Sequence, residues 1–418
     1  MRMPGLRFKA DDGSEFPDWE ERTSVELCSR MIGGGTPSTS NTDNYNGDIS
    51  WISSSDLDVD NITTVRRTRF ITERAIATSA TKKVKPGSIA VVLRVGVGKV
   101  ALLDRETCTS QDFISLEDVT GDTKFVAYML SARMQREAVR TQGTSIKGIP
   151  ATRFKELTYR MPSSIIEQRK IADLLSTVDD VITAQQAEVD AWEQRKKGVM
   201  QKLFSQEVRF KADDGFDYPD WESKSFSDVF MGLSNNTLSR DCLNSKRGQA
   251  KNIHYGDVLI KYGSVVDIQN DGVPFVNSDI DCKRWDCLHD GDIVIADTAE
   301  DDTVGKVVEI MNVGSDTLFS GLHTIACRPR DAFASKYLGY YMNSKAYHDQ
   351  LRPYMQGIKV TSVSKSNISS THIEIPSLPE QRKIADCLSS INDVVVKAKA
   401  ELAKWRELKK GLLQQMFV

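Results

Sequence analysis

The chain has 418 residues, 40% hydrophobic and 27% charged, with 55 basic against 58 acidic side chains and a net charge of −3. That length suits two to four domains of about 100–200 residues each. No apolar run nears the roughly 18–20 residues of a membrane helix, Met1–Gly13 lacks the apolar core expected of a secretory signal, and the near-neutral total gives no whole-chain sign of a nucleic-acid binder.

The first element is a lead-in segment, Arg7–Glu20, with Trp19 as an expected packing anchor. It recurs as Arg209–Glu222, with Trp221, at an offset of 202 and with 11 of 14 positions identical. Next comes an insert, residues 21–162. It mixes β-rich runs (Ser88–Val92, Val97–Leu103) with Gly, Asn and Asp turns, and a helix is predicted over Thr123–Thr141. Ser164-Ile-Ile-Glu167 then has the form of a capping box opening a long helix.

Along that helix Leu175, Val178, Ile182, Gln185, Val189, Trp192, Lys196, Val199 and Leu203 recur at alternating spacings of 3 and 4. That is a heptad seam over about four heptads. A second insert, residues 223–376, predicts strands at Asp257–Lys261, Asp292–Ala296, Val304–Ile310 and Thr324–Arg328, and a helix at Ala334–Met355. Ser377-Leu-Pro-Glu380 repeats the cap, with Pro379 in the first turn. The second helix carries Leu388, Ile391, Val395, Ala398, Leu402, Trp405, Lys409, Leu412 and Met416 at matching positions, and Glu167–Phe204 shares 19 of 38 residues with Glu380–Phe417.

The chain is therefore a duplication whose frame repeats while its inserts diverge. Only faint echoes link the inserts: Pro86-Gly87 with Asp290-Gly291, Gly98-Lys99 with Gly305-Lys306, and loops starting at Gly143 and Gly357. The expected partition is 1–162 (lead-in plus first insert domain), 163–206 (long helix), 207–376 (lead-in plus second insert domain) and 377–418 (long helix). The fold class is α+β. Two matching stripes can pair, antiparallel, as a coiled coil about 55 Å long, with the duplicated units around a pseudo-twofold axis. Lys196 and Lys409 sit on the seam near the helix ends, where their heads can reach water. The chain ends should meet within about 30 Å.

Local charge departs from the total. Val65–Arg105 holds ten basic and two acidic residues, +8 in 41 positions, and Arg133–Arg160 holds seven basic against two acidic. Such runs are usually solvated faces; interleaved with Gly, Ser, Thr and aromatics in both inserts, they suggest nucleic-acid contacts. The candidates are Thr36, Ser38, Arg66, Arg67, Arg69, Lys82, Lys83, Arg94, Lys99, Thr144, Ser145 and Lys147 in the first half. In the second half they are Arg247, Lys261, Tyr262, Ser264, Lys306, Lys359, Thr361 and Ser362.

Catalytic chemistry is not evident. There is no Pro-Pro for an adenine-methyltransferase motif. Gly96-Val-Gly-Lys99 mimics a phosphate loop but fails its pattern at Leu93 and Val100. Asp297–Asp302 reads as a solvated acidic loop, with cation binding as the alternative. The seven cysteines form no CxxC pair, so structural zinc is not expected and reduced thiols are.

Met161–Ala172 with its twin Ile375-Pro-Ser-Leu-Pro-Glu-Gln-Arg-Lys-Ile-Ala, the Gly33-Gly-Gly-Thr-Pro stretch and Gly47-Asp-Ile-Ser-Trp51-Ile closely resemble the specificity subunit of type I restriction-modification enzymes, across essentially the whole chain. The first copy departs slightly, with Ser164-Ile-Ile where the family usually has Leu-Pro. The resemblance implies a non-catalytic, cytoplasmic DNA-recognition subunit of a bacterium or archaeon. Each insert would be a target-recognition domain reading half of a split, asymmetric site in double-stranded DNA, with the paired helices setting the spacer. Two methyltransferase and two motor-nuclease subunits would be partners and would carry S-adenosylmethionine, ATP and Mg2+; this chain would hold no cofactor or metal and meet no membrane. The competing readings are a coiled-coil interaction scaffold that does not bind DNA, and a stand-alone DNA enzyme built on Asp297–Asp302.

Overall fold

The computed structural model describes residues 5–141, 148–278, 280, 282, 284–355 and 361–417. It divides into two compact units: residues 1–187 with 399–418, and residues 188–398.

In unit 1, strand Trp19–Thr23 pairs antiparallel with Thr158–Pro162, closing the domain at its base. An antiparallel sheet follows in the order Cys28–Gly33, Phe113–Val119, Ile89–Val92, Val100–Leu102. A smaller sheet runs Phe70–Ile71, Ile49–Ile52, Thr107–Thr109, Lys83–Val84, with its two central strands parallel. Helix Thr123–Thr141 forms as expected. Its Phe125, Tyr128 and Leu130 lie in one core with Ile89, Val91, Leu116 and Trp19.

Unit 2 repeats this plan. Glu222–Ser225 pairs with His372–Ile375. The main sheet runs Phe230–Leu233, Thr324–Pro329, Ile293–Ala296, Val307–Met311, and gains a fifth, parallel strand, Val265–Asp267. The smaller sheet again contains one parallel pair, Lys251–Ile253 with Leu318–Ser320. The inserts thus share a topology that their sequences barely register. The faint echoes mark its turns: Gly87 and Gly291 have φ of 79° and 85°, and Gly98 and Gly305 have 106° and 85°, a region that favours glycine.

Two of the elements expected in the second insert differ. Asp257–Lys261 is not a strand: Tyr255–Ile260 is a short helix, and His254 Nδ1 accepts the Gly256 N–H at its start. Ala334–Met355 is not one helix but two, Tyr337–Met342 and Lys345–Leu351. The break is at Asn343, whose amide nitrogen donates to the Val307 and Gly339 carbonyls while its oxygen takes the Val307 N–H. Ser344 then caps the second helix.

The long helices span Ile165–Phe204 and Leu378–Met416. Within unit 1, Asp179 meets Lys409 and Gln186 meets Arg406, so numbering rises on one helix as it falls on the other. Within unit 2, Lys196 meets Asn392, and Leu203 and Phe204 share a core with Ile384 and Leu388. The two helices are antiparallel in both units. Among the seam residues Leu175, Val178, Val189, Leu388, Val395 and Leu402 are buried, and Ile182, Trp192, Val199, Ile391, Trp405 and Leu412 are half-buried. The helix ends also enter the domain cores. Leu175, Leu412 and Met416 join the first, and Val199, Leu203 and Leu388 join the second.

Glu167 and Glu380 do not close capping boxes. Arg7 clamps Glu167 through Nε and Nη2 at 3.0 and 2.9 Å, and Trp19 Nε1 donates to it at 3.1 Å. Arg209 and Trp221 treat Glu380 the same way, at 3.0, 2.8 and 3.2 Å, while the Ser377 hydroxyl has no hydrogen-bond partner among the described residues. Lys409 does not reach water either. It is buried against Asp179 and donates to the Asp60 carbonyl. The ends of the described residues do meet: the Gly5 N–H donates to the Gln415 carbonyl at 2.8 Å.

Candidate nucleic-acid interface

In unit 1 the backbone gathers several loops at one end of the two sheets. The Gly35 N–H donates to the Thr109 carbonyl at 2.9 Å, and the Trp51 indole donates to the Gly35 carbonyl at 3.0 Å. A Cβ on Gly34 or Gly35 would lie 2.1 or 2.3 Å from neighbouring backbone, so the glycine run permits this close passage. The Ser110 N–H donates to Ile52, the Leu93 N–H to Asp112, and the Ile149 N–H to Leu93, at 2.9, 2.8 and 2.7 Å. These bonds close a ring of segments: 34–38, 51–56, 93–99, 109–112 and 148–149.

Exposed polar side chains stand on this ring. Thr36 donates to Gln111, and Ser38 lies 2.8 Å from Ser40. Arg69 stacks 4.6 Å over Trp51 and pairs with Asp56 and Ser53. Arg94 and Lys82 are exposed. Ser53, Ser55 and Gln111 were not singled out from sequence. Only the proximity of the Ser53-Ser-Ser-Asp run to Trp51 could have suggested the serines, and Gln111 had no signal.

The +8 segment is partly quenched, by carboxylates both within and outside it. Arg69 pairs with Asp56, Lys83 with Glu73 and Glu106, Lys85 with Asp118, and Arg67 with Asp104. Arg66, Arg74, Lys82 and Arg94 have no side-chain partner among the described residues. Lys99 is not a phosphate-loop lysine: its Nζ donates to the Ser54 carbonyl at 2.9 Å.

Unit 2 builds the same ring. The Asn236 N–H donates to Ser320, Gly321 to Ile253, Asp297 to His323, and Val363 to Asp297, at 2.8, 2.8, 3.1 and 2.9 Å. These bonds match those of Gly35, Ser110, Leu93 and Ile149 one for one. The side chains differ. His254 stands where unit 1 has Ser53, Thr298 replaces Arg94, Leu322 replaces Gln111, and His323 replaces Asp112. Tyr255 packs edge-on to His323 at 5.3 Å, and His323 Nδ1 lies 3.5 Å from Asp297. Arg240 grips Asp257 through two bonds of 2.8 and 2.9 Å. Burial, then the charge of Arg240, holds the His254 imidazole below its ordinary pKa.

Of the second-half candidates, Thr361 and Ser362 pair with Thr298 and Ala299 at the rim of this ring. Arg247 and Lys261 are exposed, the latter donating to the Gly272 carbonyl at 2.6 Å. Ser264 is half-buried, and its carbonyl accepts the Glu309 N–H. Two candidates are withdrawn from the surface. Tyr262 is buried, 4% exposed, and burial pushes its hydroxyl pKa up. Lys306 donates to the Leu259 and Tyr262 carbonyls at 2.9 and 2.8 Å, and burial lowers its pKa. Thr144, Ser145, Lys147 and Lys359 lie outside the described residues.

A family model described as the type I restriction modification DNA specificity domain matches twice, over residues 17–191 and 218–403. The chain belongs to this family. It is 27% identical over 236 residues to the type I restriction enzyme MjaIX specificity subunit of Methanocaldococcus jannaschii, covering 53% of this chain and 54% of that one. The chain thus spans about half the length of that specificity subunit. The fold resembles the solved type I restriction-modification S subunit of M. genitalium, with a TM-score of 0.54, 17% identity and 100% and 99% of the two chains covered. It also resembles a chain solved in work on complex assembly and conformational transition of the type I R-M system, with a TM-score of 0.53, 16% identity and 96% of both chains covered. No helix among the described residues of this specificity-family chain is long and apolar enough to cross a membrane.

Proposed function

We propose that this chain is the sequence-reading subunit of a type I restriction-modification complex, with each insert reading one half of a split, asymmetric target in duplex DNA. The observation that carries this is the pair of matched backbone rings bearing different side chains. One scaffold with two donor sets offers two readings of base edges, which carry sequence information through their hydrogen-bonding patterns.

On this reading residues 1–162 and 207–376 are the two recognition domains with their lead-in segments. Residues 163–206 and 377–418 form an antiparallel coiled coil that sets the spacer between half-sites and docks two methyltransferase subunits. Two motor-nuclease subunits complete the complex, in a bacterial or archaeal cytoplasm. The chain itself is non-catalytic: S-adenosylmethionine, ATP and Mg2+ belong to the partners. Thr36, Ser38, Arg66, Arg69, Lys82 and Arg94 with Ser53, Ser55 and Gln111 are the leading unit 1 contacts. Arg247, Lys261, Thr361 and Ser362 with His254 and His323 are those of unit 2.

The test is methylome sequencing of a host carrying this chain with its partner subunits. Exchanging residues 21–162 for another recognition domain should change one half-site only, and adding one heptad to both helices should lengthen the spacer only. Methylation that ignores the exchange would leave the scaffold reading, in which the chain assembles partners without reading DNA.

A further inference from the structure

Beyond the ring, unit 1 carries a second charged arrangement. Glu137, 1% exposed on helix Thr123–Thr141, is shared by three guanidiniums: Arg133 at 3.3 Å, Arg140 at 3.0 Å and Arg153 at 3.0 Å. Arg136 stands beside them and donates to the Phe417 carbonyl at 3.2 Å. Among the described residues Glu137 is the only carboxylate ion-paired with this group. Four positive charges therefore face one negative charge. Burial first, and then the charges of Arg133 and Arg140, pull the Arg136 pKa down against the opposing pull of Glu137.

The cluster adjoins the ring. A Cβ on Gly98 would lie 3.5 Å from Ala138 and 3.6 Å from Gln135, and one on Gly148 would lie 3.2 Å from Arg94. Arg153 lies four residues beyond Ile149 of the ring, and its bond to Glu137 draws Arg140 beside it, on the helix face opposite Gln135 and Ala138; the two guanidiniums, 54% and 65% exposed, therefore stand at the Ile149 side of the ring. Among the described residues, the corresponding helix of unit 2 carries a smaller group: Lys345 and Arg352 share Asp349, which is itself 39% exposed.

We propose that Arg133, Arg136, Arg140 and Arg153, organised on Glu137, form a phosphate clamp that holds the DNA backbone beside the unit 1 ring and fixes its register without reading bases. This rests on the DNA-binding reading above. Arginine forks suit the planar, bidentate recognition of phosphate, and the surplus charge is relieved when a phosphodiester arrives. Phosphate contacts position a protein on the duplex but carry no sequence directly.

The test uses the full chain assembled with its methyltransferase subunits, on target and on scrambled duplexes, across a salt series. R140Q/R153Q should weaken binding to both duplexes by the same factor. It should also lower the slope of log affinity against log salt by about 2, near 0.9 for each phosphate left without its arginine, and leave the methylated sequence unchanged. R140K/R153K, which keeps the charge, should keep the slope and controls for folding. An unchanged slope in R140Q/R153Q overturns the clamp and points to a protein partner for the patch. A changed methylated sequence overturns it by making the arginines base readers. If the unaltered complex binds no duplex, the DNA reading falls and takes the clamp with it.

Discussion

Lys409 and Asp179 form a buried ion pair across the two long helices of unit 1, 2.5 Å apart, with both side chains under 10% exposed. Tyr128 donates to the other Asp179 oxygen at 2.7 Å and lies beneath the Lys409 ammonium. The repeat places Lys196, Asn392 and Tyr340 at the corresponding positions of unit 2, where Lys196 donates to Asn392 at 2.7 Å. Removing one partner of a buried pair costs about 3–5 kcal/mol, because the other charge is left uncompensated. D179A should therefore destabilise strongly. D179N, which copies the arrangement of unit 2, should cost clearly less. Chemical denaturation of the two variants checks this, and equal losses would refute it.

The repeated blocks were legible because both copies make the same clasp. Arg7, Trp19 and Glu167 answer to Arg209, Trp221 and Glu380, and Lys170 and Lys383 each donate to the carbonyl of a lead-in lysine at 2.9 and 2.8 Å. Glu at the third helical position imitated a cap because position alone does not reveal a partner some 160 residues away. The seam was legible from its period, but the burial of Lys409 was not, since its counter-charge Asp179 sits on the other helix. Asp257–Lys261 failed because five residues with an apolar centre suit a strand or a buried helix equally. The shared ring was invisible because its bonds are backbone to backbone and leave the side chains free to diverge.

Glu309 gives unit 2 a pH dependence. Burial raises its carboxyl from 4.5 to about 7, while the Lys336 and Gly339 N–H groups, bonded one to each oxygen, work the other way. A raised acid binds its proton more tightly in the folded state. Below the unfolded value both states are protonated and nothing is lost; between 4.5 and about 7 the folded state holds more protons, so stability falls as pH rises. The slope from this one group is at most about 1.4 kcal/mol per pH unit. E309Q should flatten this slope between pH 5 and 7 at a constant cost of about 1 kcal/mol for one missing acceptor. Denaturation midpoints across pH read it, and a slope unchanged in the variant would count against it.

Lys99 and Lys306 follow the same sequence pattern and should share one phenotype. Each ammonium is tied to carbonyls at a short helix, Ser54 in unit 1 and Leu259 with Tyr262 in unit 2. K99M and K306M remove hydrogen bonds from a charged group, worth about 1.5–3 kcal/mol each. The melting temperature should drop, while the salt slope of duplex binding by the assembled complex stays put. A slope lowered by about one would return these lysines to the phosphate-contacting set.

Arg94 should behave in the opposite manner. It is exposed, unpaired among the described residues and set on the ring where unit 2 carries Thr298. Arginine can present two donors to the O6 and N7 of guanine, and a good bidentate contact discriminates by about 1–3 kcal/mol. R94T would install the side chain that unit 2 uses on the same backbone. Its expected effect is relaxed methylation at one position of one half-site, with stability, salt slope and the second half-site unchanged. Methylome sequencing separates the cases. Uniform weakening with no change of sequence would make Arg94 an outlying member of the phosphate clamp. Changes at both half-sites would contradict the independence of the two rings. The overall charge of −3 predicts neither outcome, because the ring presents Arg94 individually while neighbouring basic residues are neutralised by Asp56, Glu106 and Asp118.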